Sequence, residues 1–521
     1  MICKEGKDFD VVLITAEYYD DHPLSPAGVI ARVLDSKGYS VGIIEKPISK
    51  EDFLRLGRPK LFFAVTSGSI DSMLNNYTPL KKKRVEDKYS KTLEMPDRAV
   101  IYYCNKIKES FKCQKSKISE HAQKQEFLTD VKIVIGGIES SLRRFAHYDY
   151  WDNDLRKSIL LDSRADILVY GNGEKQIIEI ADRLKENKDL KNILGTCILS
   201  KEMPSGFEEL PTFSDVKNDK VMFCKMQTMF SNKKNLSQKY EHNYVLQYKS
   251  QIYTSEDLDF VYSLPFTRKL HPKSLLKMAR FSVQTHRGCL GNCNFCSIKL
   301  HQGDMIISRN EENILSEIRK ITKMPGFNGL IDDLGGPSAN MYGMDLVDGK
   351  MDMSHKRLIS LMRKARSISG VKKIFVRSGV RYDFALNSKE YIDELSAHHV
   401  SGCLKIAPEH TSENVLELMN KNTKKLDAFI DYFNSINKKS GQYLAYYFMI
   451  GHPGDDMEET RKLKSKMKEL KVDSFQLFTP TPMTVSTCMY YTGLNPYTLK
   501  PIKVVYDYNT KKKMKNVLLE K

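Results

Sequence analysis

Three cysteines, Cys289, Cys293 and Cys296, fall within one short stretch, QTHRGCLGNCNFCSI (284–298). Thiolates are the soft ligands that iron–sulfur clusters and zinc prefer. A closed site takes four such ligands, and this stretch supplies three. A cluster on three thiolates keeps one iron free of protein, open to a substrate or cofactor. Two readings compete: a zinc site with a distant fourth ligand, and burial of the thiols as small hydrophobes. Gly288 and Gly291 flank Cys289 and free the backbone to wrap a cluster, which counts against burial. Residues 281–285 read as a strand, so the thiols belong to a loop at a strand's carboxyl end.

The elements around that loop alternate. Strands are expected at 282–285, 329–334, 373–376, 402–406, 443–450 and 474–478. Helices are expected at 311–323, 356–369, 389–398, 413–420, 426–438 and 456–470. Six such units predict a partial (β/α) barrel, whose active residues gather at the carboxyl ends of the strands. Gly335 and Gly336 end the second strand and Gly451 the fifth, where a bare backbone lets a ligand approach. Arg377, Ser378 and Arg381 follow the third strand, and a guanidinium there pairs with a carboxylate. Lys405, Glu409 and His410 lie on and after the fourth strand and are the candidate proton donors and acceptors. His410 could equally cap the next helix.

Before the barrel, DVVLI (10–14), YSVGII (39–44), LFFAVTSGS (61–69), KIVIGGIESS (132–141) and ADILVYGNGE (165–174) read as strands running into Gly- or Ser-rich turns. That spacing predicts a doubly wound parallel sheet over residues 1–195, an α/β domain that binds ligands in those turns. Residues 196–272 read as a connector, 273–495 as the barrel and 496–521 as a basic tail. Cys104 and Cys113, in a lysine-rich insertion, are too far apart for a metal knuckle. The first loop carries Asp20-x-His22. Some cobalamin-binding domains place Asp-x-His-x-x-Gly there, with the histidine on cobalt. Here Ser25 stands at the glycine position, and Asp20 and Ser25 have an ordinary use as caps. Cobalamin is therefore not expected.

The chain has 521 residues, too many for one core. It holds no apolar run of membrane-spanning length, and its first residues, MICKEGKDFD, have no signal-peptide core. Cysteines outside the triplet are scattered, which argues for a reducing compartment, the cytoplasm by default. A net charge of +17 leaves a nucleic-acid substrate open. Its lysines, however, are spread along helices, and the runs at 81–84 and 511–515 lack interleaved aromatics.

The strings SLPFTRKLHP, THRGCLGNCNFCSI, LGGPSANMYG, SGVRYD, LKIAPEHTSENVLELM, FMIGHPG and FTPTPMTVSTCMYYTG resemble those of the YgiQ family of radical SAM (S-adenosylmethionine) proteins, from Asp10 to about Pro496. The resemblance implies an N-terminal α/β (cobalamin-binding-like) domain and a partial (β/α)6 radical SAM barrel. It also implies one 4Fe–4S cluster on Cys289, Cys293 and Cys296. With SAM as the cofactor, the strand ends read above place it against Gly335, Gly336 and Gly451, with Ser378 and Arg381 assisting. The implied activity is reductive cleavage of SAM to a 5′-deoxyadenosyl radical, which abstracts hydrogen from a substrate that the resemblance does not name. A flavodoxin- or ferredoxin-like electron donor is implied with it. Two alternatives remain: a zinc- or cluster-containing RNA-binding protein without radical chemistry, and a cobalamin-dependent radical SAM methyltransferase. Many relatives carry a cysteine-rich insertion where this chain has MYGMDLVDGKMDMSHKR, which puts a second metal site in doubt.

Overall fold

The computed structural model describes residues 2–85, 95–111, 131–421, 424–470, 472 and 474–520. Cys113 lies outside them. The first long strand, Val11–Thr15, is buried at all five positions. Val12 and Ile14 face one apolar layer, Val11 and Leu13 the other. A strand covered on both sides is what a continuous β-branched run specifies. It pairs in parallel with Val41–Glu45 on one side and Phe62–Thr66 on the other. Ile133–Gly136 and Ile167–Val169 continue the parallel order outward. The strand order therefore reverses beside Val11–Thr15, the point where doubly wound sheets bind ligands. The helix Pro26–Ser36 starts there, with Ser25 as its cap, accepting from the Gly28 amide.

The sheet does not stop at residue 195. Thr196–Ser200, Asn243–Gln247, Leu236–Tyr240 and Glu208–Glu209, with the short edge strand Ile2–Cys3 beside Val41–Glu45, bring it to ten strands. The stretch read as a connector thus contributes four strands to the sheet. Its periodicity is broken by buried amides. Gln247 accepts from the Arg144 guanidinium at 2.8 Å and donates to the Ser231 carbonyl at 2.8 Å. Gln238 accepts from the Ala146 amide and donates to the Pro211 carbonyl. Satisfied buried amides are tolerated, yet they read as surface residues in a hydropathy pattern.

The second domain is the expected partial barrel. Val283–Gln284 pairs in parallel with Leu334–Gly335, and Leu330–Ile331 with Lys373–Ile374. A parallel bridge joins Val380 to Ile406, and Cys403–Glu409, Tyr443–Ile450 and Phe475–Leu477 complete the series. Helices cover the outside with one apolar face each, such as Ile314, Leu315, Ile318 and Ile321 of Glu311–Ile321. Each such side chain stabilises the fold by roughly 1.5–3 kcal/mol when buried. Part of the expected basic tail is a docked helix, Tyr508–Leu519. Met514 is fully buried on its inner face, in a core shared with Leu463 and Met467 of the helix Met457–Glu469. No helix among the described residues is long and apolar enough to cross a membrane.

Candidate cluster and cofactor site

The cysteine loop leaves the barrel's first strand and is closed at its neck by His286–Arg287, which pairs antiparallel with Ile307–Ser308. Gly288 adopts φ +84°, and a side chain there would collide with the Met305 carbonyl. Its freedom thus closes the neck. Gly291 has another use: a Cβ would meet the Arg381 guanidinium, which reaches past it to donate to the Cys293 sulfur at 3.5 Å. The Gly291 amide points at the Cys289 sulfur at 3.4 Å.

All three thiols are half-buried. Burial pushes the Cys289 thiol up and the Cys296 thiol up to about 12, and each feels the charge of its neighbours in the triplet. Arg381 and Lys421 pull Cys289 the other way. Cationic surroundings favour thiolates, the form that binds metal. Among the described residues, no three His, Cys, Asp or Glu side chains are gathered closely enough to hold a metal ion. The fit rests on donor chemistry: three half-open sulfurs on one loop beside two cations suit an iron–sulfur cluster.

The other candidates divide. The Ser378 hydroxyl donates to Asp333, whose other oxygen accepts the Arg377 and Ser378 amides at 2.7 and 3.2 Å. Gly335 lies against Ser378. Gly336 is packed on the His286 ring, so a side chain there would strike the imidazole first. Arg381 is held by Asp383 at 2.8 and 2.5 Å. Its charge is shared between Asp383 and the cysteine loop. Gly451 takes φ +74° and donates to Asp455 at 2.6 Å.

Glu409 is buried in a left-handed conformation, φ +70°. One oxygen lies 3.4 Å from the Lys421 ammonium, and the other has no hydrogen-bond partner. Burial raises its pKa, while Lys421 and Arg381 oppose that. His410 is also buried. Its Nδ1 accepts the Ser412 amide at 3.0 Å, and Nε2 lies 3.5 Å from Asp455. The bond goes to the residue that precedes the helix Glu413–Leu418, whose first turn has no side-chain cap. Lys405 is exposed. Asp333, Asp383, Lys421 and Asp455 were not singled out in the sequence. Asp333 closes the acidic pair before Gly335-Gly336 and was legible as an acid at a strand end. Lys421 carries no local signal, because only the tertiary fold brings it to Glu409.

Two cavities adjoin the loop. One of about 1040 Å³ lies between the domains and is lined by Cys293, Cys296, Asn292, Lys299, Asn172 and Asn232. A smaller one, about 210 Å³, lies at the carboxyl ends of the first domain's strands. Leu13, Thr66, Gly137 and Val169 line it, with Arg287 and His301 from the barrel side. The two share Asn172 and His301. His22 lines neither. Its Nδ1 accepts the Leu24 amide at 3.0 Å and its Nε2 donates to the Arg280 carbonyl at 3.1 Å. Burial, with Arg268 beside it, lowers its pKa to about 3 and keeps it neutral. Asp20 accepts from the His271 amide at 2.6 Å and the Ser274 hydroxyl at 3.1 Å. The Asp20-x-His22 loop thus fastens the first domain to the start of the barrel.

Comparison with known proteins agrees with this architecture. A family model described as the radical SAM N-terminal region matches residues 1–284, and the radical SAM superfamily model matches residues 283–467. A UPF0313 protein of Methanosarcina mazei is 40% identical over 97% of this chain and 91% of its own length. One of Clostridium botulinum is 41% identical over 98% and 84%. Among solved structures, the radical SAM methyltransferase TsrM of Kitasatospora setae, with cobalamin and a [4Fe-4S] cluster bound, is 14% identical with a TM-score of 0.56. It covers 92% of this chain and 76% of its own. The cobalamin-dependent SAM radical enzyme OxsB, with aqua-cobalamin bound, is 11% identical with a TM-score of 0.50 over 88% and 52%. Those two likenesses are of fold. Since both of those proteins carry cobalamin, they give no support to the expectation that it is absent here.

Proposed function

The chain belongs to the UPF0313 family of radical SAM proteins, the YgiQ family, and from that premise we propose where its chemistry is done. Cys289, Cys293 and Cys296 hold the 4Fe–4S cluster. SAM lies over the strand ends that carry Gly335, Gly336, Ser378 and Gly451. The substrate enters the cavity of about 1040 Å³ between the domains. The observation that carries this reading is that Cys293 and Cys296 line that cavity. When bound, cluster and SAM supply reductive sulfonium cleavage and hydrogen abstraction. This chain's residues orient and shield that chemistry. Arg381 fixes the loop through Cys293 while Asp383 fixes Arg381. Asp333 sets the Ser378 hydroxyl. Of Lys405, Glu409 and His410, Glu409 is the residue we retain to hold or move a proton, because it is buried with one oxygen unpartnered. A flavodoxin- or ferredoxin-like protein supplies the electron, in the cytoplasm. The family match leaves the alternative of an RNA-binding protein without radical chemistry unsupported.

The test is anaerobic reconstitution, with iron, sulfide and zinc measured and 5′-deoxyadenosine assayed after reduction, with and without cell-extract fractions. The expected result is about four irons per chain and deoxyadenosine formation. Protein holding zinc and no iron would overturn the reading.

A second reading is cobalamin-dependent methyl transfer. The cavity of about 210 Å³ at the strand-order switch favours it, because Gln284 and Arg287 line it and it shares Gly171, Asn172, His301 and Gln302 with the larger cavity. Any corrin there is held without His22. Expression with cobalamin supplied should give stoichiometric corrinoid absorbance that survives His22→Ala. Protein free of corrinoid removes this reading and leaves the first intact.

A further inference from the structure

A third cavity, about 510 Å³, lies among residues that the radical chemistry does not use. It is built where the first domain meets the last segments of the chain. Lys81, Tyr148 and Tyr150 come from the first domain; Tyr490, Tyr506 and Lys511 come from the last segments. Lysine and tyrosine dominate its wall, and among the described residues no carboxylate lines it.

Lys511 is buried, and a buried ammonium is costly without a counter-charge. Its partners are the Tyr490 hydroxyl at 2.7 Å and the Tyr150 hydroxyl at 3.5 Å. Its ammonium lies 4.7 Å from the Tyr490 ring centre and 5.4 Å from that of Tyr150. The Lys81 ammonium lies 4.6 Å from the same Tyr150 ring. Two cations therefore share one aromatic ring. Ring faces stabilise cations only modestly, and the nearby acids Asp149 and Asp152 are held by Arg98 at 2.9 and 2.7 Å. Lys220, a third cation on the wall, lies 5.7 Å over Tyr491. Burial, with Lys81 beside it, lowers the Lys511 pKa to about 8, and the pull of Asp507 does not offset them. Among the described residues no carboxylate is paired with Lys81, Lys220 or Lys511. An anion in the cavity would answer all three.

Rings without a burial reason say what else the ligand carries. Tyr506 and Tyr508 are 52% and 40% exposed on the wall. Open aromatic faces beside lysines are the means by which proteins hold a base and its phosphate together. We propose that this cavity binds a nucleotide, its phosphate between Lys81 and Lys511 and its base on the exposed tyrosine rings, either free or as one unit of a single strand. The site stands apart from the cysteine loop and does not depend on the cluster assignment.

The test is calorimetric titration of the reconstituted full-length protein with AMP, UMP, a uridine decamer, uridine and inorganic phosphate. Trp151, the chain's one tryptophan, packs on Tyr150 with ring centres 5.8 Å apart, and its fluorescence gives a second readout. Saturable binding of AMP or UMP supports a free nucleotide; binding of the decamer with weak mononucleotides supports a single strand. In either case uridine and phosphate alone bind far more weakly. Lys511→Met, a substitution close in volume, and the rim changes Lys81→Ala and Tyr508→Ala should each weaken binding on the order of tenfold. No binding by any nucleotide, phosphate binding as tightly as AMP, or affinity unchanged in both rim variants would overturn the proposal.

Discussion

Each domain sends a loop with metal-ligand side chains out of its first strand: Asp20-x-His22 from Val11–Thr15, and the cysteine triplet from Val283–Gln284. By residue type both invite a metal, but their hydrogen bonding differs. Around His22 both ring nitrogens and both Asp20 oxygens have partners in the protein, and all but one of those partners lie across the domain boundary. Around Cys289, Cys293 and Cys296 the sulfurs have only weak, long contacts, and Cys293 and Cys296 line a large cavity. A ligand position must keep bonding capacity in reserve. The loop that has spent it is a fastening.

The largest expected effect separates the two loops directly. Cys289→Ala, Cys293→Ala or Cys296→Ala should abolish cluster absorbance and deoxyadenosine formation, and leave the urea midpoint of the metal-free protein nearly unchanged. His22→Ala should do the reverse, keeping iron content per folded chain. If iron is lost with His22→Ala in protein that is still folded, the comparison fails.

Next in size is the support behind His22. Arg268 is buried, donates to the Arg280 and Ser282 carbonyls at 2.9 and 3.0 Å, and pairs with Glu317. Removing one partner of such a buried pair costs about 3–5 kcal/mol. Arg268→Ala should lower the urea midpoint accordingly and lengthen no cluster-assembly time once folded. A midpoint equal to wild type would mean that the domains are held together elsewhere.

Gly336 sharpens the comparison inside the barrel. Read from sequence, Gly336→Val blocks SAM while sparing the cluster. The structure adds a cost, because the new side chain meets the His286 ring. Overpacking of this kind costs about 1–3 kcal/mol, so stability should fall together with SAM binding. Loss of SAM binding at full stability, by calorimetry and thermal melting, would restore the simpler role.

What was legible follows the same division. Amphipathic helices such as Glu311–Ile321 and Lys389–His398 fell within two residues of their expected bounds, because one apolar face writes a period into the chain. The five parallel strands were legible as apolar runs, and the cysteine loop by its spacing. The strands from Thr196 to Gln247 were obscured by Gln238 and Gln247, whose partners are fixed only in three dimensions. Likewise Asp20-x-His22 shows its residue types in the sequence, but not that His271, Ser274 and Arg280 already occupy them.

The smallest effect is in the pH dependence of stability. His22 titrates near 6.5 when unfolded, and its folded pKa is lowered to about 3 by burial and by Arg268. Between those values the unfolded chain binds a proton that the folded chain refuses, so the contribution is full above pH 6.5 and is lost as the pH falls toward 3. His147, His286, His301, His355, His399 and His452 are shifted in the same direction by burial. The urea midpoint should therefore decline steadily below pH 6.5. His22→Gln removes one share of that slope and keeps a group able to reach the Arg280 carbonyl. Midpoints measured from pH 7.5 to 4.5 should run closer together in His22→Gln than in wild type. Parallel curves would mean that His22 is protonated in the folded protein, and that its ring nitrogens are not committed as the fastening requires.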